Sequence, residues 1–341
     1  MTGDAHWMRL ALTEARRGRG LTSPNPCVGA VIVKEGRLLA SGWHRKAGGP
    51  HAEVEALRAA EAAHGLNALC GAAAYVTLEP CSTQGRTPPC VEALIAAGIA
   101  RVVWGAEDPN PQHAGRAREI LTSEGIEVTA GVLEEECREV IAPFAKLITT
   151  GLPWVIAKAG MSLDGRITRP AGEGQWITSE AARHDAMRLR VQCDAIIAGA
   201  ETVRQDDPSL TLRGPDIPEG KEQPWRVILT HSGNLPPEAK IFTDEHSHRT
   251  LAFRNRPLEE ILRELAARGV MNVLIEGGGK VLAAAFNGRL VDEVVFYTAP
   301  LISGSGRPVV EAACFEGGSV ALKYVSAEMT GPDVKLRARV I

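Results

Sequence analysis

The stretch that decides the fold opens with His51-Ala52-Glu53, continues to Pro80-Cys81 and closes at Cys90. One imidazole and two thiolates form the ligand set that holds a catalytic Zn²⁺ and leaves its fourth position open for water. A bound Zn²⁺ lowers the pKa of that water from about 16 to about 7, so a nucleophile exists at neutral pH. We therefore predict that His51, Cys81 and Cys90 bind zinc.

Glu53 is predicted to move protons beside the metal, because a fourth protein ligand would block the water position. Gly48-Gly49-Pro50 precedes an apolar helical pattern, which puts Glu53 in a first turn, where the helix dipole favours a carboxylate. His-x-Glu followed by Pro-Cys and a later Cys is typical of zinc deaminases that act on nucleobases. His-Ala-Glu alone would also fit two surface residues on an ordinary helix, and the downstream cysteines favour the deaminase.

The segment between the cysteines, residues 82–89, is longer than the two residues found in most zinc deaminases. Gly85 permits a reversal and Pro88-Pro89 stiffens the return, so we expect Cys90 to come back to the metal and the loop to wall the pocket. A structural zinc site is an alternative, but it would normally need four protein ligands. The nearest candidate is His44, which we expect instead to line the pocket with Asn25, although a histidine satisfied at a strand end fits almost as well.

The chain is predicted to form two α/β domains, residues 1–148 and 154–341, joined by a linker at residues 149–153. In the first domain, helical and strand patterns alternate, which predicts a sheet covered by helices on both faces. Its predicted strands are residues 28–33, 38–43, 74–78, 101–105 and 126–130. Its predicted helices are residues 7–16, 52–60, 91–97, 116–124 and 134–148.

Several segments of this sequence, including those with His51, Cys81 and Cys90, resemble a known family, the bifunctional riboflavin-biosynthesis deaminase/reductases. The similarity to the deaminase half lies in residues 24–29, 51–57, 77–82, 85–90 and 108–111. Thr83-Gln84 stands where many members carry a bulkier, often histidine-bearing pair. The resemblance implies a cytidine-deaminase-like α/β/α domain followed by a dihydrofolate-reductase-like α/β domain.

The second domain contains a glycine-rich motif that is less specific than the zinc-ligand motif of the first domain. Gly277-Gly278-Gly279 lies between an apolar strand at residues 272–276 and a helix at residues 280–287, and by itself fits a tight turn or a phosphate-binding turn. Residues 158–165, 175–179, 206–211 with Arg213, and 276–278 are similar to the reductase half, which implies NADPH as cofactor.

The resemblance assigns reductase residues position by position. The residues implied to contact NADPH are Gly160, Trp176, Thr178, Thr202, Asp206, Gly278, Gly279, Lys280, Val281, Leu282, Ala283 and Ala284. The residues implied to contact substrate are Gly174, Arg190, Leu210, Arg213 and Glu276. Arginine forks suit a phosphate monoester, although a solvated helix face is the alternative for Arg190.

Two reductase roles stay open in the sequence. Lys158, Asp164 and Glu276 are the titratable candidates for positioning or relaying a proton. Arg204 and Arg254 are candidates for binding the 2′-phosphate that distinguishes NADPH from NADH.

The implied reactions are zinc-dependent deamination of 2,5-diamino-6-(5-phosphoribosylamino)pyrimidin-4-one and NADPH reduction of the ribosyl side chain of the product. A nucleobase or tRNA deaminase with an unrelated second domain is the alternative, but it would leave the residues after Gly151 unexplained. A net charge of −3 gives no reason to expect nucleic acid, and no apolar run is long enough for a membrane. With seven cysteines and no evident signal peptide we expect a cytoplasmic enzyme, with homo-oligomerisation left open.

Overall fold

The computed structural model describes residues 3–84, 88–111, 113–170, 172–312, 314–315 and 317–341. The chain divides into two compact units, Met1–Gly151 and Leu152–Ile341, so the boundary falls inside the predicted linker. The reversal predicted at Gly85 lies outside the described residues.

The first unit contains a five-stranded sheet with the order β2-β1-β3-β4-β5. Strands β2, β1 and β3 are antiparallel neighbours, whereas β3, β4 and β5 run parallel. The strands are β1 (Gly29–Lys34), β2 (Arg37–Trp43), β3 (Ala73–Leu78), β4 (Arg101–Ala106) and β5 (Glu127–Thr129). The helices are α1 (Asp4–Arg16), α2 (Ala52–His64), α3 (Cys90–Ala96), α4 (Arg116–Ser123) and α5 (Glu134–Thr150), with a 3₁₀ turn at Leu66–Ala68.

Two glycines let α1 and α2 approach this sheet on opposite faces. A Cβ at Gly29 would lie 2.1 Å from the carbonyl oxygen of Ala11 in α1, and one at Gly42 would lie 2.4 Å from the backbone nitrogen of Ala56 in α2. Gly42 pairs with Ala30, the neighbour of Gly29, and successive residues of a strand face opposite sides. The predicted three-layer arrangement is confirmed, and the first turn of α2 is fixed against β2.

The second unit contains an eight-stranded sheet with the order β12-β13-β11-β6-β10-β7-β8-β9. The six strands from β11 to β9 in that order are parallel, and β13 and β12 add to the edge as antiparallel strands. The strands are β6 (Trp154–Ser162), β7 (Ala195–Gly199), β8 (Trp225–Thr230), β9 (Thr250–Arg254), β10 (Asn272–Ile275), β11 (Glu293–Ala299), β12 (Leu322–Thr330) and β13 (Asp333–Val340). The helices are α6 (Glu180–Val191), α7 (Ala200–Asp206), α8 (Lys240–Thr243), α9 (Leu258–Ala267) and α10 (Gly279–Asn287), with a 3₁₀ turn at Ser247–Arg249.

Alternate residues of the central strands enter two separate cores, because strand side chains alternate between faces. Val155 and Ile197 pack with α9 and α10 on one face, and Ile156 and Ile196 pack with α6 on the other. The parallel strands therefore have helices on both faces, and their carboxyl ends open onto the loops where ligands of such sheets bind.

Two predicted boundaries differ from the structure. Helix α5 continues through Thr150 and ends at Gly151, whose φ of 68° is left-handed, so the first two residues of the predicted linker are helical. The apolar pattern that opens the second domain predicts a strand over residues 154–159. Strand β6 extends to Ser162, because its pairing with β11 continues to that residue.

Candidate active sites

The three predicted metal ligands meet at one place in the first unit. The Nδ1 atom of His51 lies 3.2 Å from Sγ of Cys90 and 3.5 Å from Sγ of Cys81, and the three ligand atoms all lie within 4.8 Å of one another. Tetrahedral Zn²⁺, with bonds of about 2.3 Å to sulfur and about 2.0 Å to nitrogen, requires nitrogen and sulfur atoms roughly 3.5 Å apart. The donor set and its spacing therefore fit zinc.

Each ligand stands at the end of a secondary-structure element. His51 precedes α2 in an extended conformation, Cys81 follows β3, and Cys90 is the first residue of α3. The backbone nitrogen of Cys90 donates to Sγ of Cys81 at 3.3 Å, and that of Val91 donates to the Cys81 carbonyl at 3.3 Å. These bonds bring Cys90 back beside Cys81 despite the long segment between the two cysteines, as predicted.

The thiols and the imidazole are electrostatically linked. A hydrogen bond from Cys90 lowers the pKa of Cys81 to about 4, and the same contact raises the pKa of Cys90. The hydrogen bond to Cys81 raises the pKa of His51. These contacts favour the thiolate form of Cys81 beside the imidazole.

Glu53 lies in the first turn of α2, and the residue is only 3% exposed. Burial raises the pKa of its carboxyl to about 7, with the negative charge of Cys81 acting in the same direction. The side chain is also hydrogen-bonded to Cys90. A carboxyl that can gain and lose a proton near neutral pH is suited to general acid/base work next to the three ligands.

His44 does not complete a four-ligand structural site. Its Nδ1 faces the carbonyl oxygen of Pro50 at 2.9 Å and its Nε2 faces the amide nitrogen of Asn25 at 3.0 Å. A carbonyl only accepts, so Nδ1 carries the proton and Nε2 accepts from Asn25. The ring lies edge-on to His51 with centroids 5.3 Å apart, and across the described part of the chain the metal cluster contains only His51, Cys81 and Cys90.

One residue of this region was not singled out in the sequence. Glu79 is 3% exposed and accepts hydrogen bonds from the backbone nitrogens of Asp108, Gly115 and Ala117. Charge and strand periodicity alone do not distinguish it from any other glutamate at a strand end. Its position directly before Pro80-Cys81, within the segment 77–82 that resembles the deaminase half, was the available signal.

In the second unit, Glu276 is the centre of a buried ion cluster. Its carboxylate accepts from Nε and Nη2 of Arg190 at 2.6 and 2.9 Å, and Nζ of Lys158 lies 3.5 Å away. Burial alone would raise the pKa of Glu276, but the charges of Arg190 and Lys158 lower it to about 2. The Arg190 side chain is 14% exposed, so the alternative of a solvated helix face is wrong.

The segment 210–213 contacts this cluster. Nη1 of Arg190 donates to the carbonyl of Thr211 at 3.3 Å. Leu210, which precedes Thr211, is 3% exposed and has a positive φ of 50°, whereas Arg213 is exposed. Nε, Nη1 and Nη2 of Arg190 all donate to protein acceptors. Of the two arginines considered for the substrate phosphate, Arg213 is therefore the more accessible.

Several residues implied to contact NADPH lie where β6, β7 and β10 end. A Cβ at Gly160 would lie 2.9 Å from the Thr178 methyl group, and a Cβ at Gly277 would lie 2.7 Å from Val281. A Cβ at Gly278 would meet nothing within 4 Å. The turn therefore needs Gly277 for close packing of strand and helix, whereas Gly278 borders open space at the start of α10, as a phosphate-binding turn requires.

The remaining predicted cofactor and substrate residues have varied environments. Leu282 and Ala283 are buried, Leu282 in the hydrophobic core, so their side chains pack inside the protein. Trp176 is 59% exposed beneath the guanidinium of Arg183. Thr202 is half-buried in α7, Gly279 is buried, and the others are exposed: Gly174, Asp206, Lys280 and Ala284.

Asp164 joins two loops at the carboxyl ends of β6 and β11. Its oxygens accept from Oγ of Ser162 at 2.6 Å and from the backbone nitrogens of Ser303 and Gly304 at 2.9 and 2.8 Å. The Ser162 hydrogen bond lowers the pKa of Asp164 to about 2, and both backbone bonds add to this effect. These contacts favour a structural role over the proton-relay role considered from the sequence.

Comparison with known proteins matches each of the two units to a separate family model. The model of the cytidine and deoxycytidylate deaminase zinc-binding region matches residues 1–106, and that of the RibD C-terminal domain matches residues 153–336. The riboflavin biosynthesis protein RibD of Escherichia coli (strain K12) is 39% identical, with 98% of each chain covered. The chain belongs to the RibD family.

Solved structures of the RibD family extend over the same length. Acinetobacter baumannii RibD matches with a TM-score of 0.89 and 38% identity, covering 99% of both chains. The diaminohydroxyphosphoribosylaminopyrimidine deaminase/5-amino-6-(5-phosphoribosylamino)uracil reductase of Thermotoga maritima matches with a TM-score of 0.87 and 33% identity, again over 99% of both chains. The chain is therefore a bifunctional deaminase/reductase of riboflavin biosynthesis with Zn²⁺ and NADPH as cofactors. A deaminase with an unrelated second domain is not favoured.

Among the described residues, no helix combines the length and the apolar character needed to cross a membrane.

Proposed function

We propose that the first unit hydrolyses the 2-amino group of 2,5-diamino-6-(5-phosphoribosylamino)pyrimidin-4-one and that the second unit reduces the ribosyl side chain of the resulting uracil to ribityl. The observation that carries the proposal is the convergence of His51, Cys81 and Cys90 beside buried Glu53, in a chain that continues into a reductase domain. The substrates are those named for the similar Thermotoga maritima protein.

For deamination, we assign His51, Cys81 and Cys90 as the residues that hold Zn²⁺. When bound, the metal supplies the electrostatic activation of water that hydrolysis at neutral pH needs. Glu53 takes a proton from the attacking water and transfers it to the ring nitrogen as the remaining OH group bonds to the ring carbon. It then carries the proton of that OH group to the amino group, which leaves as ammonia while the C=O bond forms. Its raised pKa suits both directions of transfer. Asn25 and His44, hydrogen-bonded to each other, orient the pyrimidine.

For reduction, we assign the ends of β6, β7 and β10 and the first turn of α10 to NADPH, which supplies the reducing equivalent when bound. Glu276 stays ionised and orients the sugar hydroxyls, while Arg190 holds Glu276 in place. Lys158 is the proton donor, because its Nζ lies 3.5 Å from the same carboxylate. Arg213 binds the substrate phosphate, since it is exposed and its neighbour Thr211 contacts Arg190.

We further propose that the partners are small pyrimidine phosphates and not nucleic acid, since the net charge is −3. A cytoplasmic location is consistent with seven cysteines that form no disulfide among the described residues.

The edge strand β12 exposes Tyr324, Val325 and Met329, which favours pairing with a second copy of the chain. Light scattering should then give the mass of at least two chains, and M329K should shift it toward one.

The test of the function is a coupled assay with the diamino pyrimidine phosphate, in which ammonia release and NADPH oxidation are followed separately. Ammonia should appear without NADPH and stop when zinc is removed by a chelator. NADPH oxidation should depend on the deaminated pyrimidine. Ammonia release that survives removal of zinc would contradict the assignment of the first unit.

A further inference from the structure

Glu79 lies at the carboxyl end of β3 and places its carboxylate among backbone amides of a loop distant in sequence. Its Oε2 accepts from the nitrogens of Asp108 at 3.3 Å and Gly115 at 3.1 Å, and its Oε1 accepts from that of Ala117 at 3.2 Å. The residue is 3% exposed, and three donors satisfy a carboxylate that would otherwise be unfavourable in this position.

These contacts close the loop between β4 and α4. One oxygen binds both ends of the loop, at residues 108 and 115, and the other binds the first turn of α4. The backbone nitrogen of Glu79 also donates to the carbonyl of Ala106 at 2.8 Å, which continues the pairing of β3 with β4 up to the loop. A side chain that the loop itself does not contain therefore stabilises the conformation of the loop.

The same loop reaches the chain next to the candidate metal ligands. Thr83, two residues after Cys81, lies with its hydroxyl 2.9 Å from Nδ1 of His113 in the loop. Within the loop, Asp108 Oδ1 accepts from the backbone nitrogen of Asn110 at 2.8 Å. Polar side chains of the loop are thereby held beside the segment that contains Cys81.

We propose that Glu79 is a positioning residue for deamination, which closes this loop so that it forms one wall of the pyrimidine site. The proposal rests on the proposed function of the first unit. Glu79 itself touches neither substrate nor metal ligand side chain in this scheme. It acts through the loop, so its loss should change substrate binding more than the chemical step or the metal content.

The experiment compares E79Q and E79A with the wild-type enzyme in the full-length chain. Glutamine keeps one acceptor but turns an NH₂ group toward backbone donors, whereas alanine removes all three bonds. We expect KM for the pyrimidine to rise about tenfold or more in E79Q and further in E79A, with kcat changing less and zinc staying stoichiometric. Hydrogen exchange at the amides of residues 108, 115 and 117 should accelerate in the same order.

The matched control is D194N. Asp194 is also a carboxylate that accepts two backbone amides, those of Met271 and Asn272, both at 2.9 Å, but it lies in the second unit. D194N should leave the KM of deamination unchanged. An increase in D194N equal to that in E79Q would mean that the effect is general destabilisation, which would overturn the proposal.

T83V provides a second route to the same loop, and it keeps the proposal testable if the Glu79 variants fold poorly. It removes the contact with His113 without touching Glu79, and it should raise the same KM by a smaller factor. A wild-type KM in both E79Q and T83V, or loss of zinc from E79Q, would overturn the proposal. Failure of the proposed function is distinguishable, because zinc-loaded wild-type enzyme would then release no ammonia while the exchange rates at the three amides would still respond to E79Q.

Discussion

Arg190 on α6 forms two parallel hydrogen bonds to Glu276 after β10, Nε to Oε1 at 2.6 Å and Nη2 to Oε2 at 2.9 Å. The arginine was expected to hold the substrate phosphate, and the structure commits both nitrogens to a protein carboxylate. A bidentate pair of this kind fixes the direction of the carboxylate and keeps it charged. Contact of Arg190 with substrate stays a prediction, in which Glu276 is the group presented to the sugar.

The first prediction is a pH-dependent stability contribution from Glu276. Its folded pKa of about 2 lies below the ordinary value of 4.5, so the contribution is complete above pH 4.5 and is lost as the pH falls toward 2. The shift corresponds to on the order of 3 kcal/mol. E276Q should therefore be strongly destabilised at pH 7, where it leaves Arg190 and Lys158 unpaired, and the difference from wild type should shrink below pH 4.5. Denaturant unfolding across this pH range measures it, and a pH-independent difference would contradict it.

The second prediction concerns the proton shuttle. E53Q should retain near-stoichiometric zinc but lose deamination by about 10²–10⁴-fold, because the amide keeps the shape of the side chain and cannot exchange protons. Metal analysis and ammonia release measure the two outcomes. Loss of zinc from E53Q, or wild-type ammonia release, would show that Glu53 has another role.

The third prediction separates ligands from the shuttle. C81S and C90S should each lose most of the zinc, since a hydroxyl is a far poorer ligand than a thiolate. C70S is the matched control, because Cys70 is exposed and is not part of the metal cluster. Full zinc content in either C81S or C90S would require a different ligand set.

The fourth prediction assigns the preference for NADPH to Arg254. Arg204 donates to Glu201 at 2.8 Å and to the carbonyl of Asn234 at 2.7 Å, so its guanidinium group is already hydrogen-bonded within the protein. Arg254 ends β9 beside the turn after β8, and a Cβ at Gly233 in that turn would lie 3.1 Å from its Cδ atom. Ligands of parallel sheets bind at these carboxyl ends, and an arginine there suits the 2′-phosphate.

R254A should therefore weaken binding of 2′,5′-ADP by about tenfold or more while binding of 5′-ADP stays unchanged, as calorimetry would show. R256A is the charge-matched control, because Arg256 donates to Glu264 at 2.7 Å. Equal losses for both nucleotides in R254A would argue against a specific phosphate contact.

The fifth prediction is that the two activities separate at the unit boundary. A fragment of residues 1–151 contains the three ligands and Glu53, and it ends at the glycine that terminates α5. It should bind zinc and release ammonia, and residues 152–341 should oxidise NADPH only with the deaminated pyrimidine. Ammonia release in the full-length chain that depends on Arg213 or Glu276, with zinc content and folding intact, would contradict this separation.

The sequence by itself determined the elements of the first domain and the zinc ligands. Strands and helices follow from side-chain periods of two and 3.6 residues and from glycine and proline breaks, which depend on neighbours along the chain. His51, Cys81 and Cys90 were recognisable because zinc accepts few ligand types at restricted spacing. The glycines at residues 277–279 signalled a close approach of strand and helix for the same local reason.

Only the tertiary structure decided how the polar side chains pair. Arg190 and Glu276 are 86 positions apart, and Glu79 lies 29 or more positions from its three donors. The choice between Arg204 and Arg254 likewise depends on which guanidinium pairs with a carboxylate among the described residues, as Arg204 does with Glu201. A hydrogen bond acts over about 3 Å in space and leaves no periodic trace in the sequence, so these partners follow only from the packing of the elements that bring them together.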